Sequence, residues 1–154
     1  MTTITIEDIK TEQQILAEMI AKFEAQAKLA ASYPITLNLP ELKADERYIG
    51  AIVSADGSKR HHLILLPGER EKIDWPDAKE WAASIGGELP DRTESALLFA
   101  TMKDYFEPEW YWTREQHAST SAFAWIQRFN YGYQLTNYTL SQLRARAVRR
   151  LEIL

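Results

Sequence analysis

Cysteine is absent from all 154 residues. Disulfides, thiolate metal sites and thiol nucleophiles are therefore excluded, and a reducing compartment is compatible with the count without being required by it. Basic charge is in deficit, with 18 Lys and Arg against 22 Asp and Glu and a formal net charge of -4. General nucleic-acid binding leaves a basic footprint, so this balance argues against it. No apolar run approaches the roughly 20 residues that a membrane span needs. The opening MTTITIEDIK is polar and acidic, unlike a secretory leader. Also missing are a Gly-rich phosphate loop, a Ser-His-Asp pattern and any metal-ligand spacing, so no enzymatic activity, cofactor or metal is expected. These absences describe a soluble cytoplasmic protein. What is plentiful is apolar surface: 45% of residues are hydrophobic, enough for a true core. The length fits one domain plus an appendage.

The appendage is residues 1–31. Thr5 followed by Asp8 has capping-box spacing, with Asp in place of the usual Glu, and neither Gly nor Pro interrupts the segment before Pro34. Ile9, Gln13, Leu16, Ile20, Phe23, Ala27 and Ala30 alternate by four and three residues, the seam of a coiled coil about three heptads long. Such a seam makes a homo-oligomer, dimer or trimer, in which Gln13 is a polar core position that fixes register. Ile6, Ile15 and Met19 widen the stripe. The same pattern therefore also suits an amphipathic helix packed on its own domain.

Residues 32–45, holding Pro34 and Pro40 around the alternating run Ile35–Leu39, read as a linker with a short edge strand. Residues 46–154 form the domain. Tyr48–Ser54 and His61–Leu66 are strands joined through the hairpin signal Asp56-Gly57. His61 and His62 point to opposite faces of a strand, so a shared metal ion is not expected. Trp75, Ala78, Trp81, Ala82 and Ile85 lie on one face of a helix stopped by Gly86-Gly87. Asp91 and Glu94 have the spacing to cap a second helix, with Leu97, Leu98, Thr101 and Met102 inward.

The C-terminal third is β-rich and dense in aromatic residues. Strands are expected over 123–129 and 134–138, and a last one over 144–153 with Arg144, Arg146, Val148 and Arg150 on one face. Trp112, Phe123, Trp125 and Phe129 suit a core. Asn130, Tyr131, Tyr133, Asn137 and Tyr138 lie at turns, where Tyr and Asn make a binding surface of rigid rings beside adaptable hydrogen-bonding groups. The arginines near the C-terminus either bind acidic groups or pair with the chain's own carboxylates.

Trp75-Pro-Asp-Ala with Trp81, Gly86-Gly-Glu-Leu-Pro-Asp-Arg-Thr-Glu94, Tyr111-Trp-Thr, Ala124-Trp125, Phe129, Gly132 and Arg146-Ala-Val-Arg149 follow one another in order. Over roughly residues 46–151 this set resembles the C-terminal domain family of the collagen-like adhesin Lcl, common in bacteriophage reading frames. That family is similar to the formylglycine-generating-enzyme-like branch of the C-type lectin fold. The resemblance implies an α+β fold: a C-type-lectin-like domain, two helices packed on a twisted antiparallel sheet, here preceded by a long N-terminal helix. It gives Leu89, Pro90, Arg92, Glu94, Trp112, Trp125 and Arg149 structural roles. It places ligand contacts near Arg114, Gln116 and His117 and across Asn130–Tyr138. The oxidase activity of the branch's best-known enzyme requires cysteines, which this chain lacks. Glu107-Pro108 is followed by Glu109 and not Asn, so calcium-dependent sugar binding is not expected either.

The function expected is a non-enzymatic protein-binding module, phage-encoded and working in the host cytoplasm as an inhibitor of a host defence or regulatory factor. The alternative is a virion-associated receptor-binding or structural oligomeric protein.

Overall fold

The computed structural model describes residues 5–31, 39–58 and 60–153. The chain divides into two compact units, Met1–Leu39 and Pro40–Leu154. The edge strand expected at 35–39 lies, except for Leu39, outside the described residues.

The first unit is built on α1, Ile6–Ala31. Thr5 and Asp8 form the expected reciprocal cap: Thr5 N–H donates to Asp8 Oδ2 at 2.9 Å, and Asp8 N–H donates to Thr5 Oγ1 at 3.3 Å. The seam residues Ile9, Leu16, Ile20 and Phe23 are all exposed, as are Ile6, Ile15 and Met19.

The second unit is α+β. Strands β1 (Arg47–Val53) and β2 (Arg60–Leu65) form the expected hairpin, with a register shift at Gly50. At its turn the Ser54 hydroxyl, then Ser58, holds the Asp56 carboxyl down at about 2. Strand β3 (Arg70–Ile73) follows, then α2 (Trp75–Ser84) and α3 (Arg92–Met102). A 3-10 turn at Lys103–Tyr105 leads to β4 (Trp110–Gln116), β5 (Phe123–Arg128), β6 (Gln134–Tyr138), β7 (Leu143–Ala145) and β8 (Val148–Glu152). The strands make two sheets, β1-β2-β8 and β3-β7-β4-β5-β6. All pairings are antiparallel except β4 with β7.

Both domain helices begin where side chains satisfy their first N–H groups. Asp74 caps α2, with Pro76 in its first turn. Asp91 caps α3 in a full capping box with Glu94. Two apolar clusters fill the interior. One gathers Leu66, Trp75, Ala78, Ala82, Leu89, Trp112, Ala124, Ile126, Ala145 and Ala147. The other gathers Leu63, Leu65, Leu98, Tyr111, Phe129 and Val148. Phe106 stacks on Phe129 with ring centroids 3.9 Å apart, and Tyr111 meets that ring edge-on.

Four expectations are corrected. The strand expected over 144–153 breaks at Arg146-Ala147 into β7 and β8, which belong to different sheets; Ala145, Ala147 and Val148 are all fully buried, which strict alternation forbids. Ala147 instead accepts a main-chain bond from Leu66 N–H. Thr101 is exposed and turns its hydroxyl onto Leu97 O, while Glu94 and Ser95 occupy the inner face of α3. Ile85 is an exposed cap and not a core residue. Phe123 and Trp125 are only partly buried, because they lie on the face of β5 opposite Ala124 and Ile126. Strand β3 had no apolar alternation to announce it; three of its four residues are charged. Among the described residues, no helix is long and apolar enough to cross a membrane.

Candidate binding surface

The Leu89-Pro90-Asp91-Arg92-Thr93-Glu94 segment positions the site. Leu89 and Pro90 are buried, and Pro90 O accepts from Arg114 N–H of β4, fixing the start of α3 against the sheet. Glu94 is 1% exposed. One of its oxygens completes the cap on Asp91 N–H at 2.8 Å, and both accept from Arg150 at 2.6 and 2.5 Å. His61 Nε2 lies 3.1 Å from the same carboxylate. Burial alone would raise the Glu94 carboxyl, but the Arg150 guanidinium and the Asp91 amide hold it below the ordinary carboxylate range. Glu88 bridges Arg150 to Arg114, each at 2.7 Å. A second, partly buried pair is bidentate: Arg149 clamps Glu46 at 2.7 and 2.6 Å and also donates to Glu41 O, tying residues 41–46 to β8. Arg149 and Arg150 thus pair with the chain's own carboxylates, whereas Arg146 donates to the main-chain carbonyls of Tyr105 and Leu66. A third carboxylate-paired arginine, Arg144, meets Glu69; burial, and then the hydrogen bond to the Glu69 carboxylate, push the Tyr111 hydroxyl upward.

Neither histidine of the His61-His62 pair shares a ligand with the other. His61 reaches Glu94, while His62 is buried with Nδ1 3.0 Å from the Tyr48 hydroxyl. Among the described residues no group of three or more His, Asp or Glu side chains converges as a metal site.

From this frame Arg92 projects over the sheet. Its guanidinium lies 3.6 Å from the Trp125 ring centroid, its Nε donates to Gln134 Oε1, and its main-chain N–H donates to Glu115. Register places Phe123, Trp125 and Gln127 directly opposite Tyr138, Thr136 and Gln134, so all of them share one face. His117 stacks on Trp125, and Tyr138 packs against Phe123 at 4.3 Å between ring centroids. Gln127 and Gln134 are joined by an amide hydrogen bond beneath them. Arg92, Thr93, Ala96, Glu115, Gly132 and Gln134 line an open hollow of about 600 Å³ beside these rings.

The expected ligand residues distribute unevenly. His117 and Tyr138 belong to the ring surface. Tyr131 and Tyr133 flank it on an exposed turn, their rings 5.8 Å apart. Gly132 between them has φ 79°, and a Cβ there would strike the Phe99 ring at 2.7 Å, so glycine is required. Gln116, Asn130 and Asn137 shape the loops: Gln116 donates to Ser121 O, Asn130 accepts from Arg128, and Asn137 accepts from Tyr138 N–H and the Ser141 hydroxyl. Arg114 stands apart in the Glu88–Arg150 cluster. Arg92, Phe123 and Trp125 join the surface without having been read as ligand residues, and Gln127, on the same face, is buried. The alternation along β5 was the available signal, because it separates Phe123, Trp125 and Gln127 from Ala124 and Ile126. No protein-family model matches the chain, and no curated protein matches it closely enough to count as a relative.

Proposed function

We propose that this chain is a non-enzymatic protein-binding module, phage-encoded, whose C-type-lectin-like domain engages a host or phage protein through the aromatic surface of β5 and β6 and the Tyr131–Tyr133 turn. The observation that carries this reading is the concentration of partly exposed rings and one stacked guanidinium on a single face. Binding sites for proteins are enriched in Trp, Tyr and Arg because these side chains supply large contact area at little conformational cost. Inhibition of a host defence or regulatory factor is the role that suits such a module in the host cytoplasm. Affinity purification from host lysate with the full chain is expected to retain a specific protein. Tyr131→Ala with Tyr133→Ala is expected to lower its retention at least about tenfold, as loss of a pair of aromatic contact residues does. The same pair changes stability by less than about 0.5 kcal/mol, because both rings are exposed. Undiminished retention by the double variant would reject this surface.

The exposed seam of α1 favours a second, compatible reading as an oligomeric or virion-associated component. Ile9, Leu16, Ile20 and Phe23, with Gln13 as register-setting polar position, suit a parallel coiled coil of two or three copies. Light scattering is expected to show a dimer or trimer for the full chain and a lower order for Leu16→Asp with Ile20→Asp. Equal masses would exclude the seam. Mass spectrometry of purified phage particles separates a virion component from an intracellular binder.

A further inference from the structure

Strand β6 is the outer strand of the five-stranded sheet, and it differs from the other outer strands. Native sheets protect their edges with charge, proline or bulges, because an open edge pairs with any strand that meets it. Here β3 carries Arg70, Glu71 and Lys72, all exposed, with an irregular register and Lys72 at φ 50°. Strand β1 carries the Gly50 bulge. Strand β8 contains Arg149, Arg150 and Glu152, and its Val148 exchanges both main-chain hydrogen bonds with Glu88. Strand β6, Gln-Leu-Thr-Asn-Tyr, has no charge, no proline and an unbroken register with β5.

The hydrogen-bond pattern shows which groups are open. Arg128 N–H bonds Tyr133 O, and Thr139 N–H bonds Ala122 O. Antiparallel alternation then points the main-chain groups of Tyr133, Leu135 and Asn137 toward β5, and those of Gln134, Thr136 and Tyr138 outward. Tyr138 is closed off, since its N–H donates to Asn137 Oδ1 and its carbonyl accepts from Ser141. The N–H and C=O of Gln134 and Thr136 meet no partner among the described residues. Leu135, between them, is 54% exposed. Tyr131, Tyr133, Tyr138 and Leu140 on either side are exposed as well, a grouping of large apolar residues that the rest of this unit does not repeat.

We propose that β6 is a self-association edge, on which β6 of a second copy adds antiparallel about a two-fold axis at Leu135. The open groups select this register. Gln134 then stands opposite Thr136 of the second copy, and each exchanges both main-chain bonds with the other. Leu135 stands opposite itself in the closely spaced, non-hydrogen-bonded position, with Cβ atoms about 4.5–5.5 Å apart. Tyr133 stands opposite Asn137. No like charges meet across the pair, and the two exposed leucines cover each other. A second copy is the occupant these residues favour because the edge is complementary to itself at each of these positions, as a two-fold contact must be. Strand pairing alone buries less than the roughly 1,000 Å² of a stable interface. The flanking tyrosines and Leu140 extend it, and a weak, concentration-dependent dimer is the expected strength. The two ring surfaces would then lie side by side on one continuous sheet.

A chain without cysteine makes the test clean. Leu135→Cys in the full chain, oxidised at high protein concentration, is expected to form disulfide dimer about tenfold faster than Leu140→Cys, which is also exposed but outside the register. Tyr133→Cys mixed with Asn137→Cys is expected to give the mixed dimer in preference to either self-dimer. These crosslinks report β6 whatever the arm does. Equal rates for Leu135→Cys and Leu140→Cys, or a Tyr133 self-dimer dominating the mixture, would overturn the proposal. A heterologous protein strand using this edge would give that same negative result.

Discussion

Glu94→Ala is expected to lower the unfolding free energy by about 3 kcal/mol, near the lower end of what breaking a buried ion pair costs. The carboxylate holds the N-terminus of α3, both Arg150 bonds and the His61 contact at once. Removing it strands a largely buried guanidinium beside an uncapped helix. Glu88 stays on Arg150, which keeps the loss from going higher. Glu94→Gln retains the shape and one acceptor and is expected to cost about 2 kcal/mol. Urea unfolding measures both as a shift in midpoint at constant slope. A loss under about 1 kcal/mol would mean that Arg150 is satisfied without Glu94.

Acid has the same sign. The Glu94 carboxyl lies below its ordinary value of 4.5 in the folded chain, so its contribution is fully present above that pH and is lost as pH falls through the folded value. Glu46, held down by Arg149, adds to the same window. The groups facing Glu94 are His61 on β2, Arg150 on β8 and Asp91 at the cap, with Glu88 behind Arg150. The wild type is expected to lose stability on acidification below about pH 4.5, and Glu94→Gln to lose less over that range. Parallel curves would remove Glu94 from the cause.

Trp112→Ala is expected to cost about 5 kcal/mol, the upper end for a large core ring. The ring is fully buried, and its Nε1 donates to Ile73 O at 2.9 Å. Its cluster is rich in alanine: Ala78, Ala82, Ala124, Ala145 and Ala147. Methyl groups have no rotamers with which to refill a cavity, so the void persists and its cost is borne in full. Trp112→Phe keeps most of the volume and loses the hydrogen bond, for about 1–3 kcal/mol. Near-ultraviolet circular dichroism with urea unfolding distinguishes the two. A loss below about 2 kcal/mol for Trp112→Ala would show that the surrounding backbone collapses onto the site.

Local rules carried much of the fold. Caps at Thr5 and Asp91, the Asp56-Gly57 turn, the stop at Gly86-Gly87 and the alternation in β5 are interactions among residues a few positions apart, so they are legible in one dimension. The aromatic surface was half legible. Turn chemistry singled out Tyr131, Tyr133 and Tyr138, but Arg92 reaches that surface only because α3 lies against β5 and β6.

The sequence by itself determined the helical arm with its apolar seam, the α+β composition of the remainder and the lack of any thiol chemistry, all of which follow from residue types and short periods. Tertiary structure alone decided that the C-terminal run splits between two sheets, that Glu94 takes its partners from β2 and β8, and that β6 is the unprotected edge. Those outcomes depend on which strands become neighbours. Neighbours 33 and 56 residues away, as His61 and Arg150 are from Glu94, leave no periodic trace in the chain.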